Sequence, residues 1–375
     1  MTAAVDKAIK MVKKAAKQTV NEPYRNMFPG IYGNPKEIAA EAASRVAPEN
    51  VAMKRLFGVN RAELYEMSEG RKGNREPENK VAENPRGSIA ADNIMTPKNA
   101  QRLIDNLVEA GKHPGLKQGM DAWYTMDPVY KRIKELVGEA DAPAHYSRLN
   151  AMMGIMSPGS EVETEINRGL AAHYLHHQGR LGDFYKYAGL GKDKRKADFP
   201  ADLTPVTGHP YHKTAHAIPL KKYMEHGKIM SDNPKVPLYV QASGVPETGF
   251  QTKSPVPDAH FTRAVGMADT RKGPTDVEAS MGPGEHQAMT PWFRDKVAKK
   301  VGLEAVPAQA RLWGGMSGQT GVTTMIGAPK MEMLAKHIMA VAKRHNLPPE
   351  VARDLVLTGG VYYRGGAVKK ALSKT

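Results

Sequence analysis

The sequence predicts a mostly α-helical protein with a basic N-terminal extension and long Gly/Pro-rich loops. Three observations predict it. Apolar residues recur at i, i+3, i+4 and i+7 over several stretches, the period of a helix with one buried face. Methionine is abundant, with 21 residues, while aromatic residues make up only 6%, and the flexible thioether suits the irregular gaps of helical cores. No convincing alternation of polar and apolar residues marks a strand, and no internal repeat is visible.

The elements follow in order. In the first 19 residues Val5, Ile9, Val12 and Ala16 form one stripe, surrounded by Lys7, Lys10, Lys13, Lys14 and Lys17. Such a helix can lie on an anionic surface, or pack on its own protein with the lysines in water. A second short helix is expected over Pro35 to Val46. Polar, Gly- and Pro-broken sequence around Gly70-Arg71-Lys72-Gly73-Asn74-Arg75-Glu76-Pro77 reads as a linker or mobile loop over residues 68–90. It separates an N-terminal helical extension, 1–67, from a main helical domain, 91–358. Residues 359–375 form a basic tail carrying Lys369, Lys370 and Lys374.

Within the main domain, Thr96-Pro97, Asp127-Pro128 and Thr290-Pro291 each pair a capping oxygen with a proline and are expected to open helices. Gly111 and Gly302 are expected to end the first and third. Met331, Leu334, Ala335, Ile338, Val341 and Ala342 give the cleanest helical period, over Ala328 to His345, stopped by Asn346 and Pro348. Ser160 and Glu163 make a capping box for a helix carrying Ile166, Asn167, Leu170 and Tyr174. Val236 to Ala242 fits either helix or strand. Long Gly/Pro-rich connections are expected at Lys192–His212, Asp269–Ala288 and Gly314–Pro329.

Composition narrows the function classes. The 375 residues suffice for two domains, or for one with extensions, and 41% are hydrophobic, enough for a substantial core. Lys+Arg exceed Asp+Glu by 54 to 39, a net charge of +15, which implies a polyanionic partner, nucleic acid before membrane surface. The absence of cysteine excludes disulfides, thiolate zinc sites, cysteine nucleophiles and cysteine-held iron-sulfur clusters. No apolar run approaches the roughly 20 residues of a membrane span. The N-terminus lacks the apolar core of a secretory signal, so a cytoplasmic location is expected, in a host cell or a virion if the protein is viral.

The segment Pro257-Asp258-Ala259-His260-Phe261-Thr262-Arg263 places an Asp at a helix start, followed by His and Arg. Asp258 is either a helix cap or a catalytic carboxylate. The histidines form a second group: His173, His176 and His177 at one helix end, and His209, His212 and His216 in a loop. Lacking cysteine and an anchoring carboxylate, they are read as polar surface, and neither metal nor cofactor is expected. Gly314 to Gly321 lacks the Gly-Lys-Ser/Thr ending of a phosphate-binding loop.

Five pieces stand in order over roughly residues 120 to 315: Trp123-Tyr124, Met156-Ser157-Pro158, Asn167, Asp258 with His260, and Gln309-Ala310-Arg311-Leu312-Trp313. This order resembles uncharacterised phage and bacterial proteins similar to the helix-hairpin-helix DNA glycosylase superfamily. The resemblance implies a glycosylase-like helical core and DNA as partner. It implies Asp258 as the catalytic residue, stabilising positive charge on the sugar of a flipped base. His260, Arg263, Lys253, Asn167, Trp292, Trp313 and Gln309 would contact nucleic acid, with Tyr146 and Tyr211 as further stacking candidates. The chain departs from the family at the hairpin, where Gly244-Val245-Pro246 with Gly249 is degenerate, and at the lysine nucleophile, for which Lys235 and Lys253 sit in no recognisable frame. Two alternatives remain open. One is a non-catalytic phage structural or virion-associated protein packing against DNA or other subunits. The other is a phage DNA base-modification enzyme.

Overall fold

The computed structural model describes residues 50–70, 94–112, 114–158, 162–182, 185, 216–230, 235–248, 252–266, 283–317 and 329–361. The expected N-terminal stripe, the Pro35–Val46 helix, Ser160, Tyr211, His209, His212, Gly318 to Gly321 and the tail beyond Val361 lie outside them. Of the described residues, 77% are helical and none is in a strand, so the fold is mostly α. No helix among them is long and apolar enough to cross a membrane.

A helical segment, 50–57, leads into α1 (Arg61–Gly70). There follow α2 (Pro97–Gly111), α3 (Pro114–Asp121), α4 (Asp127–Val137), α5 (Ala142–Ile155) and α6 (Val162–His177). The order continues with α7 (Ile218–His226), α8 (Lys235–Ala242), α9 (Ala259–Ala264), α10 (Pro283–Trp292), α11 (Ala305–Ser317), α12 (Lys330–His345) and α13 (Pro349–Leu357). Residues Val236 to Ala242, compatible with either state in sequence, are helical, and α8 packs on α5 with Val236, Leu238, Tyr239, Val240 and Ala242 buried.

Several start and stop signals operate as expected. The Thr96 side chain accepts from the Asn99 amide at 3.2 Å and Pro97 occupies the first turn of α2. Asn346 closes α12 in the left-handed conformation, φ 51°, where its short polar side chain tolerates the strain. Two signals work differently. Asp127 is the first residue of α4, and the cap position is Met126, which makes no side-chain cap bond. Thr290-Pro291 does not open a helix. Thr290 donates back to the His286 carbonyl at 2.8 Å inside α10, and Pro291 follows it there. Proline supplies no amide, and the chain continues as a π-helical turn, Phe293–Val297, then a 3-10 turn, Ala298–Val301, ending at Gly302 with φ 70°.

Residues 50–70 belong to the main core. Met53, Leu56 and Leu64 are buried in the larger apolar cluster, α1 packs on α3, and α1 runs past the expected linker start at Ser68. Arg61 is clamped to Glu332 of α12 by two hydrogen bonds of 2.8 and 2.6 Å, both side chains buried. A second buried pair joins α11 to α3: Arg311 Nε donates to Asp121 Oδ1 at 2.8 Å, and its Nη2 to the other oxygen.

The apolar interior forms two clusters. The larger gathers α4, α5, α6, α8, α12 and α13 around Trp123, Tyr146, Met152 and Leu334. The smaller gathers α2, α9, α10 and the π turn around Leu103, Phe261 and Phe293. Helix α11 serves both: Val306, Ala310 and Trp313 face the larger cluster, and Ala305, Ala308 and Leu312 the smaller. An element enclosed on both sides carries apolar residues on both faces, and the buried Gln309 and Arg311 of α11 are hydrogen-bonded to Asp258 and Asp121.

Candidate functional site

The segment before α9 crosses from one cluster to the other. Val256 is buried in the larger and Phe261 in the smaller, with Asp258 between them. Pro255 is held from behind, because buried His286 donates from Nε2 to its carbonyl at 2.8 Å. Asp258 itself is half-buried. Its Oδ1 accepts the Phe261 amide at 2.6 Å, a helix cap. Its Oδ2 faces Gln309 Nε2 at 3.4 Å, and Gln309 Oε1 in turn accepts from the Tyr124 hydroxyl at 3.3 Å. Gln309 lies between Ala308 and Ala310, which face opposite clusters, so both members of the contact stand on the seam.

Three buried polar side chains meet one another, Glu165 of α6, Tyr239 of α8 and Lys330 of α12, and the Asp258 charge reaches Glu165 and Tyr239. The Tyr239 hydroxyl donates to Glu165 Oε1. Lys330 Nζ is 4.0 Å from the same carboxyl oxygen and 4.4 Å above the Tyr239 ring. Burial raises the Glu165 carboxyl, opposed by Lys330, Lys235 and the Tyr239 hydrogen bond, and the Asp258 charge raises it further. Tyr239 is pushed well above its usual value by burial and by Glu165. Burial lowers Lys330 to about 8, against the attraction of Glu165. Its ammonium makes no hydrogen bond, and the Ser157 hydroxyl is likewise buried without one. Lys235 closes the edge, donating to the Ser157 carbonyl at 3.0 Å with its Nζ 6.0 Å from the Tyr239 ring centroid.

Several residues expected from sequence therefore converge. Asp258, Gln309 and Tyr124 form a hydrogen-bonded chain, the Tyr124 ring stands edge-on to Tyr239 with centroids 5.6 Å apart, and Ser157 is reached by Lys235. Gln309 is 1% exposed and Asn167 4% exposed, so both are interior residues rather than nucleic-acid contacts. Trp313 packs on Trp123 with ring centroids 4.6 Å apart and belongs to the core. Trp292 is partly buried against the smaller cluster. Tyr146 is buried and donates to the Ser243 carbonyl at 2.5 Å, which removes it as a stacking surface. Lys253 is half-buried. The side chains of His260 and Arg263 lie outside the described residues.

Gly249 of the degenerate hairpin lies outside the described residues, and Gly244 to Thr248 form a turn. The Gly244 amide donates to Gln241, that of Val245 to the Thr248 hydroxyl, and that of Thr248 to the Val245 carbonyl. These amides are engaged within the turn, the opposite of an amide row open to a phosphate. Sequence reading missed Glu165, Tyr239 and Lys330. A signal existed for the lysine: Lys330 opens α12 on the face of Leu334, Ile338 and Val341, at the helix end where the dipole disfavours a cation. Comparison with family models, with curated proteins and with solved structures found no match.

Proposed function

We propose that this protein binds DNA and cleaves the N-glycosidic bond of a flipped base, with Asp258 as the carboxylate facing the sugar. The observation that carries the reading is the setting of Asp258: half-buried on a seam, fixed through both oxygens, with its charge acting on the buried Glu165 and Tyr239. A fixed carboxylate stabilises positive charge developing on a sugar and orients an attacking water, without reorganising at the moment of reaction. The net charge of +15 supports a polyanionic substrate. A base inside a duplex is out of reach of such a group, so the reading requires base extrusion.

Asp258→Asn separates catalysis from capping. Asn caps a helix about as well as Asp, so the fold and its melting temperature are retained. Loss of the charge is expected to lower glycosylase activity on plain or modified DNA by about 100- to 1000-fold. Activity left intact by the substitution would overturn the role of Asp258. Binding of the wild type to duplex DNA is expected to weaken steeply with salt, and a flat dependence would remove the nucleic-acid partner.

One observation favours a second reading. Asp258 Oδ1 is occupied by the Phe261 amide, as in any capped helix, and this suits a non-catalytic phage structural or virion-associated protein. A wild type inert on both DNA types that co-purifies with virions would decide for it.

A further inference from the structure

A second polar cluster lies away from Asp258, where α5 and α6 meet the end of α13. His173 and His177 are one turn apart on α6 and so share a face. His145 reaches them from α5. Ring centroids are 5.1 Å apart for His145 and His173, 5.0 Å for His145 and His177, and 4.6 Å for His173 and His177. One ring nitrogen from each lies within 4.8 Å of the other two. We propose that these three imidazoles bind a divalent transition-metal ion of the zinc, cobalt or nickel type, clipping α5 to α6 beside the last turn of α13.

The hydrogen bonding supports it independently. His145 Nε2 and His173 Nε2 both donate to the Leu357 carbonyl, at 2.9 and 3.0 Å. Each ring that donates from Nε2 keeps a lone pair on Nδ1. That of His173 is buried, on a residue 0% exposed, and has no partner. A buried acceptor without a donor is a group a metal ion satisfies. The other requirement is neutrality, because only unprotonated imidazole ligates. His145 and His173 each spend an N–H on the Leu357 carbonyl, and a second proton, on the buried Nδ1 of His173, would have no acceptor. Metal–nitrogen bonds of about 2.0–2.1 Å bring tetrahedral ligands to about 3.3 Å from one another. The rings must therefore close up on binding, with His177 the exposed member of the three. Three protein ligands leave a position for water on that exposed side.

Charge nearby opposes the ion. The Arg148 guanidinium on α5 contributes to lowering His145, His176 and His177, and it disfavours any cation on the same rings. Asp141, at the start of α5, acts in the other direction on His145.

The test uses the full chain, stripped with chelator and titrated with Co2+ and Zn2+, with binding read by calorimetry and by the visible absorption of cobalt. One ion per chain is expected, with imidazole-type cobalt bands. The exposed His177→Ala and the buried His173→Gln should each weaken binding by more than about 100-fold, beyond the loss seen for outer-sphere partners. His177→Ala keeps the test meaningful should His173→Gln fail to fold. Arg148→Ala should tighten binding. Absence of uptake by the wild type would overturn the proposal. So would wild-type affinity in His177→Ala, or loss of binding in His209→Gln/His212→Gln.

Discussion

At the scale of single residues, His286 shows how a buried neutral side chain ties the fold to pH. It supports the Pro255 carbonyl just before Asp258, and its Nδ1 is buried without a partner. Burial lowers its folded pKa to about 4, against about 6.5 in the unfolded chain. The unfolded state therefore takes up a proton first. Stability is lost as pH falls from about 6.5 to about 4, and the single group accounts for roughly 3 kcal/mol over that window. His286→Gln keeps an amide donor but cannot titrate. Urea unfolding at pH 7 and pH 4 should show a smaller acid loss for His286→Gln than for the wild type, by about that amount. Equal losses would remove His286 from the acid response. This residue also marks where sequence reading stops. Asp258 and Gln309 stand out by their order along the chain, whereas His286 sits in an expected loop and acquires its role only from a carbonyl 31 positions away. Glu165 and Tyr239 are hidden for the same reason, and even Lys330, marked by its place on an apolar face, gives no hint of its partners. Each looks like a polar interruption in an apolar helix until three helices bring them together.

At the scale of elements, capping chemistry and the 3.6 period locate helices well where the signal is local, as at Thr96 and Asn346. They fail at Thr290-Pro291, because the same dipeptide that opens a helix also fits within one when the threonine bonds back and the next turn widens. Helix pairing is less legible still, because it depends on small residues at crossing points. Helices α5 and α6 approach so closely at Gly169 that an added Cβ would lie 2.6 Å from the Met153 Cα and 2.9 Å from its amide nitrogen. Backbone cannot move aside as a side-chain tip can. Gly169→Ala is expected to destabilise by about 1–3 kcal/mol or more, because the pair that carries Asn150, Glu165 and the histidine cluster must separate. Gly182→Ala, whose Cβ would meet nothing within 4 Å, is the control and should stay within about 0.5 kcal/mol of the wild type. Thermal melts of the two variants read the difference directly, and equal shifts would show that the crossing is not tight in solution.

At the scale of the whole molecule, the sequence predicts the helical class but not the division of the interior into two clusters, which arises from one helix buried on both sides. Because α11 and the segment around Asp258 are shared, the candidate site stands where two packing units meet. Such seams open at lower free energy than either unit unfolds, if the units are cooperative in themselves. Phe293 is the anchor of the smaller unit, fully buried and set edge-on to Phe261 with ring centroids 4.9 Å apart. Phe293→Ala removes that contact and leaves a cavity, a loss of about 3–5 kcal/mol. Native-state hydrogen exchange should then accelerate at the amides of α9, α10 and the π turn. The amides of α5 and α6, packed in the larger cluster, should keep wild-type protection. Uniform acceleration across all of these helices would mean that the two clusters unfold as one. The Asp258 seam would then be a rigid interior boundary, closed to a base unless the whole domain opens.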